Sequence, residues 1–135
     1  CSSDLLLDVA RSVVDAHAAP VAALEALCAA YVDWFFAHPE FLRMHLRTGA
    51  SWALQPSEGG PRRALADSIH SLQAELFARG SAAGAFVAED PAWLSVMFSG
   101  IDQAHLSHWV ASGMRAPREQ VLGRLLGVVR RAFLA

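Results

Sequence analysis

The segment 91-PAWLSVMFSGIDQAHLSHWVASGM-114 decides the fold, because it is long, apolar and almost free of charge. Its only Asp, Glu, Lys or Arg is Asp102. On a helix that turns about 100° per residue, small residues share one narrow side and bulkier residues share a second side. The small side consists of Gly100, Ala104, Ser107 and Ala111, and the bulky side consists of Leu94, Phe98, Ile101, His105, His108 and Trp109.

A helix that is apolar nearly all round is buried nearly all round. A chain of 135 residues is short for surrounding such a helix alone, so we expect a second copy to pack against the small side. The bulky side then faces the interior of its own chain, where one carboxylate and two imidazoles are expected to supply the polar groups of a cavity. The segment therefore predicts a homodimer in which each chain holds a cavity.

The composition is typical of one folded domain that spans residues 1–135. The chain is 54% hydrophobic and 18% charged, which excludes disorder. Its net charge is −2, it has no lysine, and its arginines are scattered. Because a nucleic-acid surface needs clustered basic residues, we expect no DNA binding by this chain alone.

The distribution of cysteines and charges indicates a cytoplasmic location. Cys1 and Cys28 lie far apart and form no disulfide scaffold, so a reducing compartment is the default. Glu25 and Asp33 interrupt the longest apolar run, and the first apolar stretch contains charges. The sequence thus predicts neither a membrane span nor a secretory signal.

Proline, glycine and capping residues divide the chain into six predicted helices without strands, an all-α fold. Ser2, Ser3 and Asp4 are expected to cap the first helix, Asp90 the fifth, and Gly80 to end the fourth. The expected bounds are 3–17, 20–37, 39–48, 61–79, 91–113 and 117–135.

The last predicted helix is amphipathic with one broad apolar face. Next to an apolar fifth helix, such a face is what a four-helix bundle across a two-fold axis requires. The alternative is that this helix only covers the core of its own chain. The residues expected at the interface, besides the small side of the fifth helix, are Val121, Leu122, Leu125, Val129 and Phe133.

Several segments together resemble the C-terminal regulatory domain of TetR-type transcriptional regulators. The short third helix HPEFLRMHLRTG is followed by a loop with Trp52, and later come GAFVAEDPAWLSVMFSGIDQAHLSHWV and a last helix with RRAFL. The start, SSDLLLDV, is similar to the beginning of the linker helix in that family. The resemblance covers the whole chain, rests on element order, and lacks the helix-turn-helix head. We therefore expect a fragment of a longer protein.

The resemblance implies that binding of a small molecule at one site changes DNA binding at another site. Such domains dimerise through their last two helices and hold a small molecule among the others. The ligand shifts the linker helix, here expected to act through Leu6, Val9 and Val13, and thereby the spacing of the DNA-binding heads. DNA contacts belong to the missing head, and repression and activation stay equally open.

The expected effector is a largely hydrophobic molecule of moderate size, held by apolar side chains with a few polar groups. No cofactor is expected. Asp102 is the sharpest candidate, because a lone carboxylate on an uncharged helix must be paired, solvated or protonated. The residues expected to line the cavity are Tyr31, Trp34, Phe35, Phe41, Met44, His45, Thr48, Trp52, Ile69, Leu72, Gln73, Phe98, Asp102 and His105.

Two other functions remain open from the residues alone. Asp102, His105 and His108 follow each other at three-residue spacing and could share a metal, which would allow a metal-dependent enzyme or a metal sensor. A helical carrier of apolar molecules would use the same cavity without a DNA-binding head. Phosphate-binding loops, nucleophile elbows and zinc-protease motifs are missing from the sequence, so we expect no enzyme.

Overall fold

A computed structural model describes residues 2–47 and 61–135, and it confirms the all-α class. The described part of the chain contains no strand, only a single antiparallel bridge between Phe86 and Leu134. The described residues form six helices, namely α1 (Ser2–Asp15), α2 (Pro20–Ala37), α3 (Pro39–Arg47), α4 (Pro61–Ala82), α5 (Pro91–Ala111) and α6 (Arg118–Phe133).

Local signals placed most helix starts correctly. Pro20 occupies the first turn of α2, where its missing N–H costs nothing. The Asp90 side chain accepts a hydrogen bond from the backbone N–H of Ala92 at 3.3 Å, as expected for the cap of α5. Residues 2–4, expected as a cap, already belong to α1.

The end of α4 differs from the prediction. The helix continues through Gly80 to Ala82, and the turn falls at Gly84, whose φ is +76°. A methyl group at Gly80 would overlap the Phe86 ring, with only 2.8 Å between its carbon and Phe86 Cγ. Gly80 therefore permits a close approach of Phe86 to α4 and does not end the helix.

The helices enclose one apolar core. α1 packs on α2 and α4, α4 packs along α5, and α6 packs against both α2 and α5. The short α3 contacts α2 and α5. The backbone N–H of Val87 donates to Phe133 O at 2.9 Å, and that of Ala135 donates to Ala85 O at 3.1 Å. These bonds attach the chain's last residues to the connector between α4 and α5.

The buried side of α5 is rotated from the predicted one. Leu94, Phe98 and Trp109 are buried as expected, but Ile101 and His105 are only half-buried and His108 is exposed. Their places in the core are taken by Ser95, Ser99, Asp102 and Leu106. On a helix without charged residues other than Asp102, no pattern of surface charges marks which side faces solvent.

α2 is long and apolar enough to cross a membrane by length and composition, which the sequence interpretation did not anticipate. The core helix of a soluble protein passes the same test, and α2 buries Leu24, Leu27 and Val32 in the core. Its two carboxylates make ion pairs with α6: Glu25 with Arg130, and Asp33 with Arg118 at 2.6 Å.

Candidate functional site

A group of polar side chains lies inside the apolar core, where α2, α4 and α5 meet. We call it the buried polar cluster. Each member is at most 9% exposed, so these polar groups are as buried as the aromatic and aliphatic residues of the core. Its members are Tyr31 on α2, His70 and Gln73 on α4, and Ser95, Ser99 and Asp102 on α5.

Gln73 lies at the centre of the cluster and is 1% exposed. Its side-chain carbonyl accepts a hydrogen bond from the Tyr31 hydroxyl at 2.8 Å. Its amide nitrogen donates to the hydroxyls of Ser95 and Ser99, each at 3.0 Å. One side chain of α4 thus joins the two helices on either side of it.

Ser95 extends the cluster toward the surface. Its hydroxyl donates to the backbone carbonyl of His70 at 3.1 Å and lies 3.2 Å from His70 Nδ1. His70 and Ser95 also line a groove of about 390 Å³ between α4 and α5. The cluster therefore runs from this groove to the centre of the molecule.

Asp102 differs from the other members of the buried polar cluster in its hydrogen bonding. It is 2% exposed, and its Oδ1 atom has no hydrogen-bond partner. Burial away from water raises the pKa of this carboxyl to about 7, because no cation compensates the charged form. A buried oxygen without a hydrogen-bond partner destabilises the fold by about 1–3 kcal/mol. A ligand that donates a hydrogen bond to Asp102 Oδ1 would remove this cost.

Two neutral acids share the surroundings of Asp102. Burial raises the pKa of the Cys28 thiol and of the Tyr31 hydroxyl well above their ordinary values, and the Asp102 charge raises both further. The Cys28 thiol and the Tyr31 hydroxyl are therefore protonated near neutral pH, whereas the Asp102 carboxyl changes its protonation state at about pH 7. The surroundings are apolar and uncharged unless Asp102 ionises.

The residues expected to line the cavity fall into separate places. Tyr31, Gln73 and Asp102 belong to the buried polar cluster, and Leu72 and Phe98 are buried beside it in the core. Ile69 is half-buried against the same core. Thr48 and Trp52 lie outside the described residues.

A second part of the predicted set forms an aromatic group where α2 meets α3. The rings of Trp34, Phe35 and Phe41 pack edge-on or tilted, and Trp34 stacks on His38 with centroids 4.2 Å apart. His45 packs against Phe41 at 4.9 Å. Met44 was expected to face inward but is 42% exposed, because the short α3 has only one fully buried residue.

The expected dimer residues divide between the core and the surface. Val121, Leu125, Val129 and Phe133 are buried in the core of their own chain, so they do not offer a surface to a second copy. For these four residues α6 covers its own core, which is the alternative interpretation. The other expected residues stay at least partly accessible, namely Gly100, Ala104, Ser107, Ala111 and Leu122.

The outward side of α5 is uncharged. Trp93 and Met97 are 51% and 38% exposed, and Ala104 and Ala111 are exposed on the same side. No Asp, Glu, Lys or Arg occurs on α5 except the buried Asp102. We call Trp93, Met97, Gly100, Ala104, Ser107 and Ala111 the outer face of α5.

The metal triad does not assemble. Asp102 lies inside the core, whereas His108 is exposed. His105 is half-buried, and its Nδ1 donates to the Ile101 carbonyl at 2.8 Å. Within residues 2–47 and 61–135, no group of three His, Cys, Asp or Glu side chains could hold a metal ion.

His70, Ser95 and Ser99 belong to the buried polar cluster but were not among the predicted site residues. Ser95, Ser99 and Asp102 follow each other on α5 at spacings of four and three, which places them on one side of the helix. This repeated polar spacing on an apolar helix is the signal that would have indicated a buried network.

Comparison with known proteins identifies a similar fold but no function. No family model matches the chain, and no curated protein matches it. A solved structure from Rhodococcus sp. RHA1, described as a protein of unknown function, is similar with a TM-score of 0.75 at 19% identity. The match covers 96% of this chain and 66% of the Rhodococcus chain, so this chain spans just under two thirds of that protein's length.

Proposed function

We propose that this chain is the effector-binding and dimerisation domain of a TetR-like transcriptional regulator. A helix-turn-helix head outside residues 1–135 would bind DNA. The observation that carries the proposal is the outer face of α5, which exposes Trp93 and Met97 beside a row of small residues without a single charge. An exposed apolar surface of this kind is typical of a protein–protein interface.

The small residues on this face suit helix-to-helix packing with a second copy. Ala104 and Ala111 lie about one and three turns beyond Gly100, so a partner helix could approach the backbone of α5 closely. In a dimer related by a two-fold axis, the same face supplies both halves of the interface. The match to part of a longer Rhodococcus protein is compatible with a domain that belongs to a larger chain.

The buried polar cluster supports the effector-binding half of the proposal. The cluster contains a buried carboxyl oxygen without a hydrogen-bond partner, and an effector with a hydrogen-bond donor or a cationic group would satisfy it. The effector is then a largely hydrophobic molecule that ends in such a group. Binding it between α2, α4 and α5 would act directly on the two helices that hold α1.

The solution mass of the chain tests the dimer. We expect wild type to be a dimer by light scattering and Ala104→Arg to be a monomer, because the arginine places a charge in the centre of the outer face. Ala78→Arg introduces the same side chain at an exposed site of α4 and should leave the dimer intact. A monomeric wild type would contradict the proposal and favour a helical carrier of apolar molecules.

Two probes of similar size and different charge test the effector site. Phenylbutylamine carries an ammonium group, and phenylbutanol carries a hydroxyl on the same apolar body. We expect the amine to bind more tightly to wild type, and Asp102→Asn to remove the difference between the two probes. Equal binding of both probes by wild type would contradict a role for the Asp102 charge in ligand choice.

The coding sequence upstream of Cys1 distinguishes the regulator from the carrier. We expect it to encode a helix-turn-helix pattern that continues into α1. An upstream sequence without such a pattern would leave the dimer in place and remove the DNA-binding function.

A further inference from the structure

A groove lies where the end of α5 meets the start of α6, away from the buried polar cluster. Its volume is about 440 Å³. None of the residues on the outer face of α5 lines it, so it can be tested separately from the dimer. Its lining comes from the last turns of α5, the linker and the first turns of α6, and includes His105, His108, Trp109, Arg115, Gln120 and Arg124.

The charge of this groove is positive. Arg115 and Arg124 line it, and no carboxylate does. The neighbouring Arg118 and Arg130 are neutralised by Asp33 and Glu25 of α2. Within residues 2–47 and 61–135, neither Arg115 nor Arg124 has an ion pair or a side-chain hydrogen bond. Two uncompensated guanidinium groups on one groove attract an oxyanion, for which arginine has the matching geometry.

The floor of the groove is apolar and held in place. The Trp109 indole stacks on Phe36 with centroids 3.9 Å apart, and its Nε1 donates to the Ala116 carbonyl at 3.1 Å. Val121 and Pro117 complete the apolar part. A flat ring with arginines at the rim suits a molecule with an apolar body and an anionic end.

The linker that carries Arg115 has a defined conformation. Gly113 and Met114 adopt positive φ values of 90° and 59°, and the Met114 N–H donates to the Trp109 carbonyl at 2.9 Å. A methionine in the left-handed region costs about 1–2 kcal/mol, which the surrounding contacts must offset. The arginine therefore starts from a fixed backbone, and less ordering is needed when a ligand binds.

From these observations we infer that the groove binds a small organic oxyanion, a phosphate or carboxylate attached to an apolar group. The anion lies between Arg115 and Arg124, and the apolar group lies on Trp109. The Gln120 amide and His108 are further donors on the lining. A nucleic acid is not the favoured ligand, because it requires a continuous basic surface and this chain carries a net charge of −2.

The test uses the Trp109 indole N–H signal in nitrogen–proton correlation spectra of the isotope-labelled chain. Phenyl phosphate is titrated first, followed by inorganic phosphate, benzyl alcohol and a short DNA duplex in separate samples. We expect phenyl phosphate to shift the signals of Trp109 and Gln120 in a saturable way. Inorganic phosphate and benzyl alcohol, which each supply half of the ligand, should bind at least about tenfold more weakly.

Single substitutions decide whether the arginines are responsible. Arg115→Gln and Arg124→Gln should each weaken phenyl phosphate binding about tenfold, which corresponds to one charge-assisted hydrogen bond. Arg131→Gln removes an exposed arginine of the same helix that does not line the groove, and it should bind like wild type. Spectra of each variant without ligand show whether it is folded.

Four results would overturn the inference. They are unchanged Trp109 and Gln120 signals, equal losses in all three arginine variants, equal binding of inorganic phosphate and phenyl phosphate, and tighter binding of the DNA duplex. A dimer and an effector site in the core could still exist in each case, since neither uses this groove.

Discussion

The Tyr31 hydroxyl donates to the side-chain carbonyl of Gln73 at 2.8 Å, and this bond joins α2 to α4 inside an otherwise apolar core. The Gln73 amide also links α4 to α5, because it donates hydrogen bonds to the hydroxyls of Ser95 and Ser99. A fully satisfied network of this kind favours a single arrangement of the three helices. Each member becomes costly once its partner is removed.

Removing the centre of this network should destabilise the fold strongly. Gln73→Leu keeps the approximate size of the side chain but leaves the Tyr31 hydroxyl without its acceptor, and we expect a loss of about 2–4 kcal/mol in the free energy of unfolding. Tyr31→Phe deletes only one donor and should cost about 1–3 kcal/mol. Urea denaturation measures both values.

A third variant completes that test. In the double variant Tyr31→Phe/Gln73→Leu, the Tyr31–Gln73 pair has no orphaned group, so the loss should be smaller than the sum of the two single losses. Strictly additive losses would show that the two side chains do not depend on each other.

The stability of the chain should depend on pH through Asp102. Its pKa is about 7 in the folded chain, against an ordinary value of 3.8. Between these values the folded chain holds one proton more than the unfolded chain, so the free energy of unfolding falls as pH rises and levels off above about pH 7. The loss over this interval is at most about 4 kcal/mol, since one pKa unit corresponds to 1.36 kcal/mol.

Asp102→Asn should remove this dependence, because the asparagine stays neutral. We expect the variant to be more stable than wild type at pH 8, and urea denaturation at several pH values measures the difference. Asp8→Asn changes an exposed carboxylate of α1 and should leave a pH profile parallel to that of wild type. An Asp102→Asn profile as steep as the wild-type one would mean that other groups cause the slope.

Two glycine substitutions separate packing from helix propensity. Gly80→Ala should destabilise the chain by about 2 kcal/mol or more, because the new methyl group displaces the buried Phe86 ring. Gly123→Ala meets no atom within 4 Å and should stabilise α6 by up to about 1 kcal/mol. Thermal and urea unfolding give both values, and a stabilised Gly80→Ala would contradict the described contact.

The sequence was informative where the cause of a structure lies within a few residues. Pro20 and the pair Asp90–Pro91 marked the starts of α2 and α5, because capping and proline geometry act locally. Gly80 was misinterpreted, because the reason for a glycine there is the Phe86 ring, which a later turn brings back onto α4. That contact has no signature at Gly80 itself.

The candidate site was predictable only in part for a similar reason. Asp102 stood out as the one charge of its helix, and the aromatic residues of α2 followed from their spacing. Ser95 and Ser99 resemble surface residues by type, and their burial follows from the position of Gln73 on another helix. A helical-wheel projection of α5 alone therefore placed the wrong side of the helix in the core. For the same reason it wrongly predicted that His105 and His108 face the interior.

If the chain is the proposed regulatory domain, the contacts of α1 restrict how ligand binding can act on this helix. Leu6, Ala10 and Val14 bury α1 against the core, whereas Val9 is exposed and Val13 only half-buried, which changes the expected contacts of this helix. α1 packs on α2 and α4 and on no other described helix. Among the described helices, α1 is therefore coupled directly only to α2 and α4. In the proposed dimer, the outer face of α5 belongs to neither interface of α1, so a shift of α1 would not by itself change the contacts between the two copies.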